Sequence, residues 1–143
     1  MTAGATPQLR IEQACGRLGR SEVVARCLRL LAGGAEDPDF IETLGGGPAI
    51  RLLDDGIPAG QRYWLRVWAA RGLLWAGVGD DPHLLRSALT DDAWRVREMT
   101  CKVIARHRVG DLLGEVAGLE SDPVPRVRSA ASRAVTRIVA DEA

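Results

Sequence analysis

Apolar residues recur along this chain at the spacing of one α-helical face, and the same face occurs three times at intervals of 31 residues. In the segment 91–107 its positions follow i, i+3, i+4, i+7 and i+8, and its members are Val96, Met99, Thr100, Val103 and Ile104. Adding 31 gives a second face, made of Val127, Ala130, Ala131, Ala134 and Val135. Subtracting 31 gives a third, made of Leu65, Trp68, Ala69, Gly72 and Leu73. The pattern predicts three helices in one register.

Shorter apolar segments lie between these helices. One contains Leu84, Leu85, Ala88 and Leu89, and the other contains Leu112, Leu113, Val116 and Leu119. Both predict short helices that end at an acidic turn, and Asp91 or Asp92 is expected to cap the helix that follows the first of them. Each unit is thus a short helix, a turn with Asp and a longer helix. Such a pair cannot bury its apolar face alone, so neighbouring pairs are expected to stack.

The segment 121–139 resembles the second helix of HEAT repeats, because an Asp precedes a Val-Arg pair and regularly spaced Ala residues. The residues that carry this resemblance are Asp122, Val127, Arg128, Ala130, Ala131, Ala134 and Val135. The segment 91–107 shares the pattern with Met99 and Thr100 in two Ala places, and the segment 60–76 matches by register. The period is shorter than the roughly 40–47 residues of longer HEAT units and is similar to the short bacterial variety. The resemblance spans about residues 48–140 and implies an all-α, right-handed α-solenoid of HEAT-like helical hairpins.

The first third of the chain is less regular. One helical face consists of Ile11, Ala14, Cys15 and Leu18, and a second consists of Val24, Cys27, Leu28 and Leu31. We expect Gly19 to end the first helix, Ser21 to cap the second, and Pro38 to start a short helix that ends at the glycines 45–47. The sequence therefore predicts a single domain with a flexible N-terminus at residues 1–7, divergent helical repeats at 8–47 and a repeat array at 48–140.

Two of the long helices differ on the side away from the shared face. In the segment 62–76 that side is also apolar, with Val67, Ala70 and Leu74, which predicts burial on several sides. In the last helix the corresponding positions are polar, with Ser129, Ser132 and Thr136, as expected of a terminal repeat.

Composition narrows the class of protein. The 143 residues include 19 basic and 19 acidic residues, so the net charge of zero predicts no strong steering toward nucleic acid or membrane. Lys102 is the only Lys, and the excess of Arg is typical of a GC-rich bacterial genome. The three widely spaced cysteines favour neither a disulfide framework nor a zinc site. Without an apolar leader or a membrane-length apolar run, we expect a cytoplasmic protein.

No group of residues indicates catalysis. His83 and His107 are the only histidines, and no phosphate loop, dinucleotide fingerprint or hydrolase motif occurs. The paired aspartates all fall in predicted turns, where capping explains them better than metal binding. We therefore expect no catalytic, metal-binding or cofactor-binding residues, with an enzyme as the least favoured class.

Two ladders of basic residues follow the 31-residue register. Arg66, Arg97 and Arg128 form the first, and in HEAT-like repeats an arginine at this place meets acidic turn residues, here Asp91, Asp92 and Asp122. The second ladder is a basic stripe, which consists of Trp64, Arg71, Trp75, Arg95, Lys102, Arg106, Arg126, Arg133 and Arg137. Guanidinium and indole groups suit an acidic peptide or protein, and they also suit single-stranded nucleic acid. The alternative is a solvated face that neighbouring acids neutralise, with the Trp residues buried under the N-terminal hairpin.

The function predicted from these patterns is a non-catalytic adaptor or scaffold whose curved helical face binds a protein partner through the basic stripe. The second hypothesis is a nucleic-acid-binding module that uses the same stripe. Neither the partner nor the side of the solenoid that carries the stripe follows from the sequence.

Overall fold

A computed structural model describes residues 4–142, with side chains described up to residue 141, and every regular element in this range is helical. The predicted all-α class is confirmed. The chain divides into two compact units, the first ending at Gly77 and the second beginning at Val78. This division falls inside the array predicted for residues 48–140, and each unit is described separately. Residues 1–3 of the predicted flexible N-terminus lie outside the described residues.

The N-terminal unit contains five α-helices and one short 3-10 helix. They are α1 (Pro7–Leu18), α2 (Arg20–Leu31), α3 (Pro38–Gly45), α4 (Gly47–Asp54), the 3-10 helix Ala59–Gln61, and α5 (Tyr63–Ala76). Pro7 and Pro38 begin helices, where their missing N–H is not needed. Thr6 and Asp37 cap these two helices through their side-chain oxygens.

The turn between α1 and α2 is tighter than the sequence suggested. Gly19 ends α1 as predicted, with a φ of 89° that favours glycine. It is also the residue from which α2 begins, so Ser21 lies inside the first turn of α2. The expectation that Ser21 caps α2 was wrong, because the reversal at Gly19 leaves no residues for a separate cap.

Helix α5 occupies the centre of the N-terminal unit, where it packs against α1, α2 and α3. Its shared face is buried, and so are Val67 and Ala70 on the opposite side. The predicted burial on several sides is confirmed at Val67 and Ala70, whereas Leu74 is partly exposed.

Two glycines allow close approach around α5. A Cβ on Gly45 of α3 would lie 2.7 Å from Cε3 of Trp68 and 2.6 Å from Cβ of Ala49. A Cβ on Gly72 would lie 3.1 Å from both Sγ of Cys27 and Cδ2 of Leu44. Trp68 can therefore lie flat against the end of α3 only because Gly45 has no side chain.

The C-terminal unit repeats one arrangement twice, a short helical segment followed by a turn and a long helix. The first copy is the 3-10 helix Pro82–Thr90 and α6 (Trp94–His107), and the second is the 3-10 helix Gly110–Leu112, α7 (Leu113–Gly118), the 3-10 helix Leu119–Ser121 and α8 (Pro125–Glu142). Helix α6 packs against α8 and the segment Pro82–Thr90, and α7 packs against α8. The short helix predicted around Leu85 is 3-10 and not α.

The core of the C-terminal unit consists of the predicted apolar faces. Val96, Val103 and Ile104 are fully buried in α6, as are Val127 and Ala134 in α8. Leu85 and Val116 from the short segments are fully buried as well. Met99 and Val135, which were predicted on the same faces, are partly exposed, so the 31-residue register identified most of the core of this unit.

The aspartates before α6 and α8 stabilise turns and do not cap the helices. The Asp91 carboxylate accepts a hydrogen bond from the Ala93 N–H, and the Asp122 carboxylate accepts one from the Val124 N–H, each at 2.9 Å. Because the N-cap residue of α6 is Ala93, the expected capping of α6 by Asp91 or Asp92 was wrong. A carboxylate that accepts from the residue two positions later stabilises a turn.

Among residues 4–142, none of the helices combines the length and the apolar character that a membrane crossing requires.

Candidate functional site

Arg97 joins α6 to the turn that precedes α8. Its Nε and Nη2 donate to the two carboxylate oxygens of Asp122 at 2.8 and 3.2 Å, and its Nη1 donates to the main-chain carbonyl of Asp91 at 2.8 Å. The Asp122 side chain is only 4% exposed. Hydrogen bonding from Arg97 is the main reason that the pKa of Asp122 lies below its ordinary value. The predicted contact between this arginine ladder and acidic turns is confirmed at Arg97.

The other ladder, on the opposite flank of α6 and α8, contains six of the predicted stripe residues. Within the C-terminal unit we call them the basic face, and they are Arg95, Lys102, Arg106, Arg126, Arg133 and Arg137. All six are exposed or partly exposed. The face therefore presents a concentration of positive charge on two adjacent helices.

Glu98 of α6 is the carboxylate that lies against this face. Arg126 donates to it through Nε at 2.9 Å and Nη2 at 3.2 Å, and the Lys102 Nζ lies 3.9 Å from its Oε2. The Glu98 side chain is 10% exposed, whereas that of Arg126 is 64% exposed. The single carboxylate is thus nearly buried and fixes the position of Arg126, while the guanidinium remains open to solvent.

Trp94, the first residue of α6, supports two guanidinium groups of the basic face. The Cζ of Arg95 lies 4.5 Å from the Trp94 ring centroid, and the Cζ of Arg126 lies 5.1 Å from it. Both distances are within the range of cation–π attraction. The indole therefore contacts one arginine from each of the two helices.

A shallow depression opens between α6 and α8 beside this group. Its volume is about 330 Å³, and it is lined by Glu98, Lys102, Pro125, Arg126, Ser129, Ala130 and Arg133. Lys102 of α6 and Arg133 of α8 are equivalent in the 31-residue register, and Arg126 of α8 is the third cation of the lining. In the part of the chain whose side chains are described, Arg133 has no ion pair with an acidic group.

The remaining three stripe residues belong to the N-terminal unit and have roles within it. Arg71 donates from Nη2 to the Leu44 carbonyl at 2.8 Å, and burial, with the charge of Arg10, lowers the pKa of its guanidinium. Trp64 stacks on Trp68 with ring centroids 6.2 Å apart. Trp75 is partly exposed, and its carbonyl accepts a hydrogen bond from Arg20. Contacts within the N-terminal unit thus explain the position of Arg71 and the stacking of Trp64 on Trp68.

A larger cleft in the N-terminal unit does not gather groups of one chemical kind. Its volume is about 780 Å³, and both basic and acidic residues line it, among them Arg10, Arg17, Asp39 and Glu42. Arg10 is held there by the carbonyls of Thr43 and Ala5, at 2.9 and 2.7 Å. Arg10 and Arg71 together satisfy the last carbonyls of α3, which explains their positions.

Within residues 4–142, no three His, Cys, Asp or Glu side chains are grouped closely enough to hold a metal ion. Sequence reasoning missed two members of the candidate site, Trp94 and Glu98. The signal for Glu98 was its place as the one acid in the middle of the three long helices. The signal for Trp94 was its position directly beside Arg95, the register equivalent of Arg126.

Comparison with family models, with curated proteins and with solved structures gives no match to this chain.

Proposed function

We propose that this protein is a non-catalytic scaffold of HEAT-like helical hairpins, arranged as a right-handed solenoid, that binds an acidic segment of a protein partner. The single observation that carries this proposal is the basic face of α6 and α8, where six cations lie on two adjacent helices and two of them, Lys102 and Arg126, pair with the nearly buried Glu98. The repeated short segment, turn and long helix of the C-terminal unit supports the repeat architecture.

The geometry favours carboxylates as ligands of this face. Trp94 keeps Arg95 and Arg126 in place, so their ordering costs less free energy when a partner binds. Arginine forks bind planar carboxylates through two parallel hydrogen bonds, as Arg126 already does with Glu98. A partner segment with several Asp or Glu residues would extend this pattern to Lys102 and Arg133 on either side of the depression.

Nucleic acid is the second candidate, and the positive charge of the same face is the observation that favours it. Single-stranded nucleic acid gains much of its affinity from bases that stack on open aromatic rings. The Trp94 ring already carries two guanidinium groups, so it offers less ring surface for a base. This arrangement is better suited to a protein segment.

The test uses the double variant Arg95→Glu, Arg133→Glu. A fluorescein-labelled peptide of ten glutamates and a labelled single-stranded DNA of ten nucleotides serve as probes, with anisotropy measured at low and moderate salt. We expect the peptide to bind the native protein and to lose at least about tenfold in affinity with the variant, because two cations become repulsive. The melting temperature should stay within a few degrees of the native value.

The matched control is the double variant Arg51→Glu, Arg62→Glu, which changes the net charge equally at two exposed positions of the N-terminal unit. It should bind the peptide like the native protein. Equal losses of peptide affinity in both double variants would show that net charge alone explains the binding, and would contradict a defined binding face. Tight binding of the DNA alone, collapsing steeply with salt, would assign the face to nucleic acid. Unfolding of the double variant Arg95→Glu, Arg133→Glu would show that the basic face stabilises the fold and is not a binding surface.

A further inference from the structure

The internal repeat places the same arginine in two comparable environments. Arg97 donates from Nη1 to the carbonyls of Asp91 and Asp92, at 2.8 and 3.3 Å. Arg128, which stands 31 residues later, donates from Nη1 to the carbonyls of Asp122 and Pro123, at 2.8 and 3.2 Å. Each guanidinium is therefore held in the same way by the turn that precedes its own helix.

The two arginines differ at the other edge of the guanidinium. In Arg97 that edge, Nε and Nη2, binds the carboxylate of Asp122. Arg128 is exposed, and among the side chains described between residues 4 and 141 no carboxylate lies within ion-pair distance of it. The Nη1 group of Arg128 is thus anchored, while its Nε–Nη2 edge has no carboxylate partner among these side chains.

We propose that Arg128 is a binding site for one carboxylate, supplied by an Asp or Glu side chain of a partner protein. The molecule contains the filled form of this site, since Arg97 has the same main-chain anchors and binds Asp122 through two hydrogen bonds. A guanidinium already held by two carbonyls loses little conformational freedom when it binds an anion. Its two remaining N–H groups match the spacing of carboxylate oxygens.

The surroundings of Arg128 leave room for such a side chain. Ser132 is short and exposed, so another polypeptide can approach α8 closely on this side. Glu120 accepts a hydrogen bond from the Ser132 hydroxyl at 2.9 Å. Ser132 lies one helical turn beyond Arg128 on the same side of α8, so Glu120 is the acid of this chain that the experiment must test as an alternative occupant.

This site is separate from the basic face. At about 100° per residue, Arg128 projects roughly 160° around α8 from Arg126. A partner bound on the basic face would not reach it through the same segment. The inference consequently stands or falls independently of the proposed function.

The experiment follows the arginine Nε–H resonances of the ¹⁵N-labelled protein by NMR. The probe is the α-amide of N-acetylaspartate, whose only charge is the side-chain carboxylate, added at constant ionic strength against sodium chloride. We expect the Arg128 resonance to shift and to saturate, while Arg97, already bound to Asp122, and Arg133 move little or linearly. An Arg128 shift no larger than that of Arg133, or an equal shift with chloride, would contradict the proposal.

Two variants separate the remaining explanations. Arg128→Lys keeps the charge but loses both the fork and the reporting Nε–H, so this comparison uses the backbone N–H resonances of residues 127–129. Their saturable shift in the native protein should be absent in Arg128→Lys, whose melting temperature should stay within a few degrees of the native value. Glu120→Gln tests whether Glu120 itself fills the site in solution. If saturation appears only in Glu120→Gln, Glu120 is the natural occupant and the assignment to a partner is wrong. Stronger saturation by inorganic phosphate than by the aspartate probe would also overturn it.

Discussion

Arg97 and Asp122 form two parallel hydrogen bonds, of 2.8 Å from Nε and 3.2 Å from Nη2, that tie α6 to the turn before α8. The carboxylate is almost fully buried and also accepts from the Val124 N–H. One side chain thus stabilises its own turn and joins two helical units of the repeat.

This relationship predicts that Asp122→Asn destabilises the protein although it keeps nearly the same shape. The amide can still accept from Val124, but it no longer offers a charged, two-oxygen partner to Arg97. We expect a loss of about 1.5–3 kcal/mol in the free energy of unfolding, measured by urea denaturation. The control is Asp111→Asn, whose side chain is 65% exposed and which should change stability by less than about 0.5 kcal/mol. Equal effects of the two substitutions would refute a special role for Asp122.

The Arg97–Asp122 pair also predicts how the free energy of unfolding depends on pH. Hydrogen bonding from Arg97 holds the pKa of Asp122 below its usual value of about 3.9. Because the pKa is lower in the folded state, this stabilisation is fully present above the unfolded pKa and is lost as the pH falls through the folded pKa. The difference in unfolding free energy between native protein and Asp122→Asn should therefore be constant from pH 7 to 5 and shrink below about pH 4. A difference that stays constant down to pH 2 would contradict this account.

Leu73 of α5 is fully buried, and Leu73→Asp should abolish the cooperative melt of the N-terminal unit. An unpaired carboxylate in this core costs more than about 4 kcal/mol, which is most of the stability of a small unit. Cys27 reports on the same core, because burial raises its pKa to about 12 and leaves the native thiol unreactive. We expect rapid alkylation of Cys27 in Leu73→Asp, detected by mass spectrometry. Leu9→Asp, at a residue 44% exposed in α1, is the control that should melt normally and keep Cys27 protected.

Two glycine substitutions in helices should have opposite effects. An added methyl group at Gly45 would lie 2.6–2.8 Å from atoms of Ala49 and Trp68, so Gly45→Ala should cost about 1–3 kcal/mol through overpacking. Gly16 lies in α1, and a methyl group added there would meet no heavy atom within 4 Å, so Gly16→Ala should stabilise by up to about 1 kcal/mol. Thermal melts of both variants test this contrast. A stabilising Gly45→Ala would show that Trp68 does not pack on α3 as described.

The sequence by itself determined the elements whose cause is local or periodic. The 31-residue register placed the long helices and their buried faces, because a helix buries the stripe that its apolar residues form. The apolar far side of α5 indicated burial on several sides for the same reason. The meeting of Arg97 with an acidic turn was also predictable, since the arginine and the aspartates recur at fixed positions in each unit.

Only the tertiary structure decided which distant groups meet. In the folded protein α5 packs against α1, α2 and α3, and Arg71 donates to the Leu44 carbonyl. Arg126 binds Glu98, which lies 28 residues away in the sequence. The turn aspartates accept hydrogen bonds from the N–H groups of Ala93 and Val124 and do not cap the helices. The physical reason is that a long charged side chain takes whichever partner lies within its reach, and that partner depends on how the helices pack and not on the spacing of residues along one helix.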